Sequence, residues 1–548
     1  MKNLTFISLL FLSVIFFSYK PIFAQNIQQK NIEISIDKKK GENYHTLLLG
    51  EKGALCLHNN ADPIDFSHRE LFATLFNTNL DTVWQEKYVI ESNHSLIGYA
   101  YNDLNINLVF LNGKNKPEVL RISLQSGVST NYEVKDLDKL TIQYVEMAGE
   151  KILLGGDIMG SPAIVLFDPN LQEKLYLPSI NQLQANISSI AVDNEKEAII
   201  VVLDGTLGRD RAHFMQLYSF EGKLISKFKL PKDNEYNLLT YRPLINDDAQ
   251  VLILGTYALK NDYRTQGVYS LLIEDDTQKS FKFYDFSNFK NFFNYLNPKK
   301  KAKMLENIKE KQSKGKVFPL SYRLSVHELS FEKDLILFTA ESINDLPINN
   351  NSMRSVNSRN TYYPYNFGWG FPSVNNIPNN STNNVNTNNN APRGISGTNE
   401  YFPEGMALDI PIHRFTGDFE YQHTFTSAFD FKGNFKWDAS YSFDKTEYEY
   451  PILATQFAVS QDSVRFVEFR KHDLRCQTTS IQYSYSSEAQ TISLKPNVSK
   501  DDLISFEMGG IRKWTEKSFL ATGVREYIWR DGEKKIKKVY YLSKIYYE

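Results

Sequence analysis

Apolar residues recur along this chain in short runs of strand length, and the runs come in pairs separated by polar turns. The pairs lie at 142–147 with 151–157, 187–192 with 198–204, 238–245 with 251–257, and 320–329 with 335–341. Each run is rich in β-branched or aromatic residues, and each turn holds Gly, Asn, Asp or charged residues, the pattern of a tight β-hairpin. A second hairpin follows each pair, at 163–177, 215–230, 269–286 and 426–443, with an earlier copy at 72–88. In these copies an apolar strand leads to a strand with alternating exposed charge, as expected of the outer edge of a sheet. The first strands start near His45, His94, Leu140, Ile187, Asn237, Leu320 and Tyr450. The early intervals are about 45 to 50 residues, the size of a four-stranded propeller blade. The pattern predicts an all-β fold: a single β-propeller, with seven blades as the count. Residues 504–547 are expected to finish the last blade, and 31–37 to add a strand to it and tie the chain ends together.

A barrel in the outer membrane also repeats aromatic strands and stands as an alternative. Lipid-facing strands, however, alternate around a polar lumen. Ile199-Ile200-Val201-Val202-Leu203 and Val251-Leu252-Ile253-Leu254 are apolar on both faces, which suits strands sandwiched between blades.

Two wide gaps in the repeat hold insertions. Between the fifth and sixth blades, at 287–316, Ser287 is expected to cap a short helix running to Leu296. Asn297 then caps a second, with Pro298 at its first position, ending near Ser313 before Gly315. Its lysines, Lys299, Lys300, Lys301, Lys303, Lys309, Lys311, Lys314 and Lys316, face only Glu306 and Glu310, while Ala302, Leu305 and Ile308 form a narrow apolar stripe. This reads either as a basic docking patch for an acidic partner or lipid phosphate, or as a solvated helix face. The other insertion, 349–400, separates the second and third strands of the sixth blade and is dominated by Asn, Ser, Pro and Gly. That composition buries little apolar surface and predicts a mobile loop. Within it Tyr362, Tyr363 and Trp369 stand in an aromatic cluster, either a contact element or packing against the ring. Blade topology puts both insertions on one face, and insertions gathered on one side of a repeat array commonly mark the binding side. Asp157, Asp204 and Glu341 end second strands on that face, with Tyr257 at the equivalent position of the fifth blade. Such carboxylates can bind a cation, contact a glycan or do acid–base chemistry; equally, acids at strand ends can be solvated turn residues.

The chain opens with Met1-Lys2, an apolar run to Phe17 and a small residue, Ala24, which predicts a signal peptide over 1–24 and an exported chain over 25–548. No Cys directly follows the run, so no lipid anchor is expected there, and no later segment reads as a membrane helix. With 62 basic and 64 acidic residues, the charge is too balanced for a general nucleic-acid binder. Cys56 and Cys476 fall in the expected first and last blades, where a ring-closing disulfide or two buried thiols are both open. No nucleophile elbow, zinc-binding helix, phosphate loop or calcium loop occurs, so no cofactor or metal site is expected. His327 reads as a core residue; His413 and His423 flank the long loop and could approach each other. Asp81-Thr82-Val83 and Asp462-Ser463-Val464 match a short O-glycosylation pattern.

The middle of the chain resembles a group of uncharacterised exported proteins of the Bacteroidota envelope. The resembling residues are Asn291-Phe292-Phe293 with the lysine-rich helix, Tyr322-Arg323-Leu324-Ser325-Val326-His327-Glu328-Leu329, Ala340-Glu341, Tyr362-Tyr363-Pro364, and Phe429-Asp430-Phe431-Lys432-Gly433-Asn434-Phe435-Lys436-Trp437-Asp438. The resemblance implies an envelope address, in the periplasm or at the cell surface, and carries no activity. Together these readings point to a propeller that binds an envelope protein on one decorated face without catalysis, with a glycan-binding or glycan-cleaving propeller as the alternative.

Overall fold

The computed structural model describes residues 27–36, 43–59, 64–112, 116–178, 185–207, 210–260, 262, 264–320, 322–345, 366–367, 406–408, 419–448, 454–460, 463–470, 473–481, 486–494, 502–531 and 533–547. The expected signal segment, 1–24, lies outside them, as does most of 349–400.

Among the described residues the strands pair into eight separate antiparallel sheets, mostly of four strands each. In blade 4 the order is Ala185–Asp193, Ala198–Leu207, Asp210–Ser219 and Leu224–Lys229. The first strands of neighbouring blades approach one another around the axis, while fourth strands such as Leu224–Lys229 alternate half-buried and exposed positions at the rim. Separate sheets rather than one continuous closed sheet rule out the barrel alternative.

The ring has eight blades, not the expected seven. Leu503–Thr515, Ser518–Asp531 and Glu533–Tyr547 form a blade of their own. Its outermost strand is Ile27–Ser35, paired from Ile27 opposite Tyr547 to Ser35 opposite Val539. A local repeat of four strands is therefore missing at the C-terminal end, which is why the sequence pattern merges this blade with the seventh. The seam is fastened by Glu33, which accepts from Arg525 Nη2 (2.6 Å), Tyr527 Oη (2.7 Å) and Lys537 Nζ (3.0 Å). Across the junction to blade 1, Trp514 Nε1 donates to the Gly53 carbonyl at 2.9 Å, and the Tyr540 and Tyr44 rings stack.

Eight apolar clusters hold the ring, one at each junction. The second strand of blade 4 shows why its sequence is apolar throughout. Ile199, Val201 and Leu203 pack with blade 3, whereas Ile200 and Val202 pack with blade 5. Successive side chains of a strand point to opposite faces, so a strand between two blades needs apolar residues at every position. Cys56 lies in the cluster between blades 8 and 1, and Cys476 in that between blades 7 and 8. Blade 8 thus stands between the two thiols, both are free, and the disulfide alternative fails.

The lysine-rich helix spans Pro298–Ser313, with the Asn297 side chain accepting from the Lys300 N–H, as expected. The helix expected from Ser287 to Leu296 is instead two short 3-10 turns, Phe286–Asn288 and Phe292–Tyr295. The Asp438 carboxylate takes the N–H groups of Lys290 (3.0 Å) and Asn291 (2.7 Å); in a continuous helix capped at Ser287 the Asn291 N–H would instead bond the Ser287 carbonyl. Of the long insertion, expected as a mobile loop, only Asn366–Phe367 falls among the described residues. Asn366–Phe367 pairs with Met406–Leu408, which pairs with Leu324–Val326 of blade 6, and Asn366–Phe367 lies beside the first strands of blades 3 and 4.

Candidate functional site

Antiparallel pairing fixes which residues share the decorated face. The end of each second strand lies opposite the start of the first: Thr141 opposite Asp157, Asn186 opposite Asp204, Leu238 opposite Tyr257, Ser325 opposite Glu341. The helical segment enters blade 6 at the start of its first strand, and the long insertion leaves at the end of its second. Both therefore stand on this face, together with the four rim positions.

Those four positions do different work. The Asp157 carboxylate accepts from the Gly160 N–H at 2.9 Å, an ordinary turn contact. Tyr257 is buried to 1 % exposure, with its ring edge-on to Tyr236 and Phe283, and burial raises its hydroxyl pKa out of the working range. It is a core residue rather than a rim group. Glu341 is fully buried. It accepts from the N–H groups of Thr455 (2.7 Å) and Ala454 (3.1 Å), with His327 Nε2 at 3.4 Å. Its carboxylate ties blade 6 to the start of blade 7 and is not presented to a ligand. Only Asp204 enters a polar cluster near the surface. Its Oδ1 lies 3.3 Å from His213 Nδ1, which is 2.8 Å from the Tyr241 hydroxyl. His213 faces Asp204 across the hairpin; laying out the register of that hairpin would have revealed the pair, which no linear motif shows.

The helix is the best-defined feature of the face. Ile308 is buried, with Met304 and Leu305 beside it on the cluster between blades 5 and 6. Ala302, expected in the stripe, is exposed, and Met304 takes its role. Lys299, Lys300 and Lys303 are exposed; Lys301 is half-buried, its ammonium on Asn294 Oδ1. Lys314 pairs with Glu310 at 2.5 Å.

The mount beneath the helix was not legible as such. Phe286, Phe292 and Phe293 are at most 1 % exposed, and Phe286 stacks on Phe292 at 4.2 Å between ring centroids. Asn291 donates from Nδ2 to the Asp438 carbonyl, while its own carbonyl accepts from Ser440 Oγ, both at 2.8 Å. Buried Gln266 receives the Leu320 N–H (2.8 Å) and donates to the Phe318 carbonyl (2.9 Å), fixing the return to blade 6. His423 stacks on Tyr295 at 3.8 Å, fully buried, and burial lowers its pKa to about 3, so it is neutral. His413, Tyr362, Tyr363 and Trp369 lie outside the described residues.

No protein-family model matches the sequence, and no curated protein matches it. Among solved structures the chain is similar to the β-propeller domain of the Trilobed protease from Pyrococcus furiosus, at 10% identity and TM-score 0.34, over 81% of this chain and 95% of that one. It is also similar to Pyrococcus horikoshii acylaminoacyl peptidase, at 9% identity and TM-score 0.33, over 81% of this chain and 52% of that one. The polysaccharide lyase Uly1 gives 8% identity and TM-score 0.34, over 82% and 89% of the two chains. At this level the likeness assigns no chemistry, and the fold rests on the strand pairing itself.

Proposed function

We propose that this protein is a non-catalytic binding propeller of a bacterial envelope, which docks an acidic protein partner through the lysine-rich helix on its decorated face. The observation that carries the reading is the mount. Phe286, Phe292, Phe293, Asn291 and Gln266 hold both ends of the helical segment in the ring. A stiff display of like charges supports complementary docking, because little ordering is left to do on binding. The sequence from 298 to 316 carries eight lysines against two glutamates. The envelope address rests on the leader pattern of 1–24 and on the resemblance of the middle of the chain. A glycan-active reading is less well supported, since Tyr257 and Glu341 are buried in packing roles.

The test is a pull-down from gently solubilised envelopes with tagged wild type and a variant carrying Lys299→Glu, Lys300→Glu, Lys303→Glu and Lys309→Glu. A stoichiometric partner that wild type retains at low salt, loses as salt rises and never binds in the reversed variant is the expected result. Equal capture by both chains, or no partner for wild type, overturns the reading.

A further inference from the structure

We infer that Glu91, His94 and Glu118 form a binding site for a divalent transition-metal ion, zinc by preference, at the joint between blades 1 and 2. Glu91 ends the outer strand of blade 1, Thr82–Glu91. His94 sits in the turn that follows, directly before the first strand of blade 2, Ser95–Tyr101. Glu118 is on the third strand of that blade, Pro117–Ser123. One ligand atom from each of the three lies within 4.8 Å of the others. The joint and the start of a third strand both belong to the decorated face, by the topology that places the helix there.

A pair of acids at a strand end would carry little weight alone. The histidine supplies the independent observation. Its side chain is only 5% exposed, and neither ring nitrogen has a hydrogen-bond partner among the described residues. Nε2 nevertheless lies 3.2 Å from a Glu118 oxygen and 3.5 Å from a Glu91 oxygen. A protonated imidazole held by two carboxylates would direct its N–H along a hydrogen bond to one of them. Here both oxygens stand beside the ring nitrogen without forming that bond. Ligands that share a tetrahedral ion are arranged in this way: with metal–ligand distances near 2.0–2.2 Å, the edge between two ligand atoms is about 3.4 Å. The two distances bracket that edge.

The surroundings suit such a site. The turn is fixed by the His94 N–H on the Glu91 carbonyl (3.1 Å) and the Ser92 N–H on the Ser67 carbonyl (2.7 Å). The His94 ring stacks on Phe110. Asn112 Nδ2 donates to Glu118 Oε1 at 3.2 Å, the kind of outer contact that orients a ligating carboxylate. The nearby Arg69 guanidinium bonds the His94 carbonyl. One imidazole with two carboxylates favours zinc and its neighbours over magnesium or calcium, which prefer all-oxygen sets. The side chain of Glu91 is 46% exposed, so a fourth position opens to solvent and takes water.

The test uses the full chain after chelator treatment and dialysis, with zinc ion as the probe. Calorimetry should show uptake of one equivalent, and the melting temperature should rise on addition of zinc, because an ion bound only by the folded state stabilises it. Glu91→Gln, a change at a half-exposed carboxylate, should weaken binding by at least about tenfold, the scale at which lost ligands and their supports act. A second variant, His94→Gln, guards against an effect confined to one acid. His68→Gln removes the exposed pair with Asp65 and should leave uptake unchanged. Failure of wild type to take up zinc, or uptake undiminished in folded Glu91→Gln and His94→Gln, overturns the assignment. So does loss of uptake with His68→Gln alone.

Discussion

Asp438 is 1 % exposed and carries the mount of the lysine-rich helix. Burial raises its pKa to about 6, against the opposing pull of the Asn291 and Lys290 N–H groups. A carboxyl raised in this way binds its proton more tightly in the folded chain than in the unfolded one. Its ionisation therefore costs stability, beginning above the ordinary value of 3.8 and complete above about 6. The cost is about 3 kcal/mol across that window. Asp438→Asn should flatten the fall in unfolding free energy between pH 4 and pH 6.5, as followed by urea unfolding at a series of pH values. An unchanged slope would show that other groups titrate there. At the level of single residues the sequence is least legible. Glu341 looks like any acid closing a strand, and only the arrival of the Ala454 and Thr455 N–H groups from the next blade makes it structural. Tyr257 is likewise placed by its register but buried by Tyr236 and Phe283.

Among the elements, the N-terminal strand Ile27–Ser35 is an outer strand with a single neighbour, as in the other blades, but that neighbour comes from the far end of the chain and no tight hairpin tethers it. Glu33 is its main polar fastening. Burial acts to raise the Glu33 pKa, but the hydrogen bonds from Tyr527, Lys537 and Arg525, with the Arg525 charge, outweigh it and hold the pKa below its usual value. The sign is opposite to that of Asp438. The stabilisation is present above pH 4.5 and is lost as pH falls through the lowered folded-state value. Glu33→Gln should cost about 1–3 kcal/mol at neutral pH, the scale of hydrogen bonds to charged groups. It should also remove the acid-dependent part of amide exchange in 27–35. Exchange there that rises equally with acid in both chains would contradict the account. The helix at Pro298–Ser313 was readable from the cap, the proline and the following glycine, all local signals. The two 3-10 turns before it were not, because Asp438 reaches them from a distant strand.

For the molecule as a whole, the propeller was visible because its repeat is local: each of the early blades forms from consecutive residues. The N-terminal strand was expected in the closing blade and is found there. The number of blades was not readable, because the C-terminal residues hold two blades and the second has only three strands of its own, so the local four-strand repeat fails there. The same closure decides the fate of the two cysteines. They flank blade 8 at its two junctions, and burial first of all raises both thiols to about 12. In the folded ring neither is a thiolate at neutral pH, and neither can meet the other or a reagent.

The pair therefore serves as a native clock for the last blade. A thiol-reactive dye should label the closed ring slowly, at the rate at which either seam parts. Glu33→Gln, which weakens the fastening within blade 8, should quicken that labelling, with mass spectrometry telling Cys56 from Cys476. If both thiols react at once in the native protein, the seams do not protect them. If they react slowly and at different rates, the faster one marks the side from which the ring comes undone.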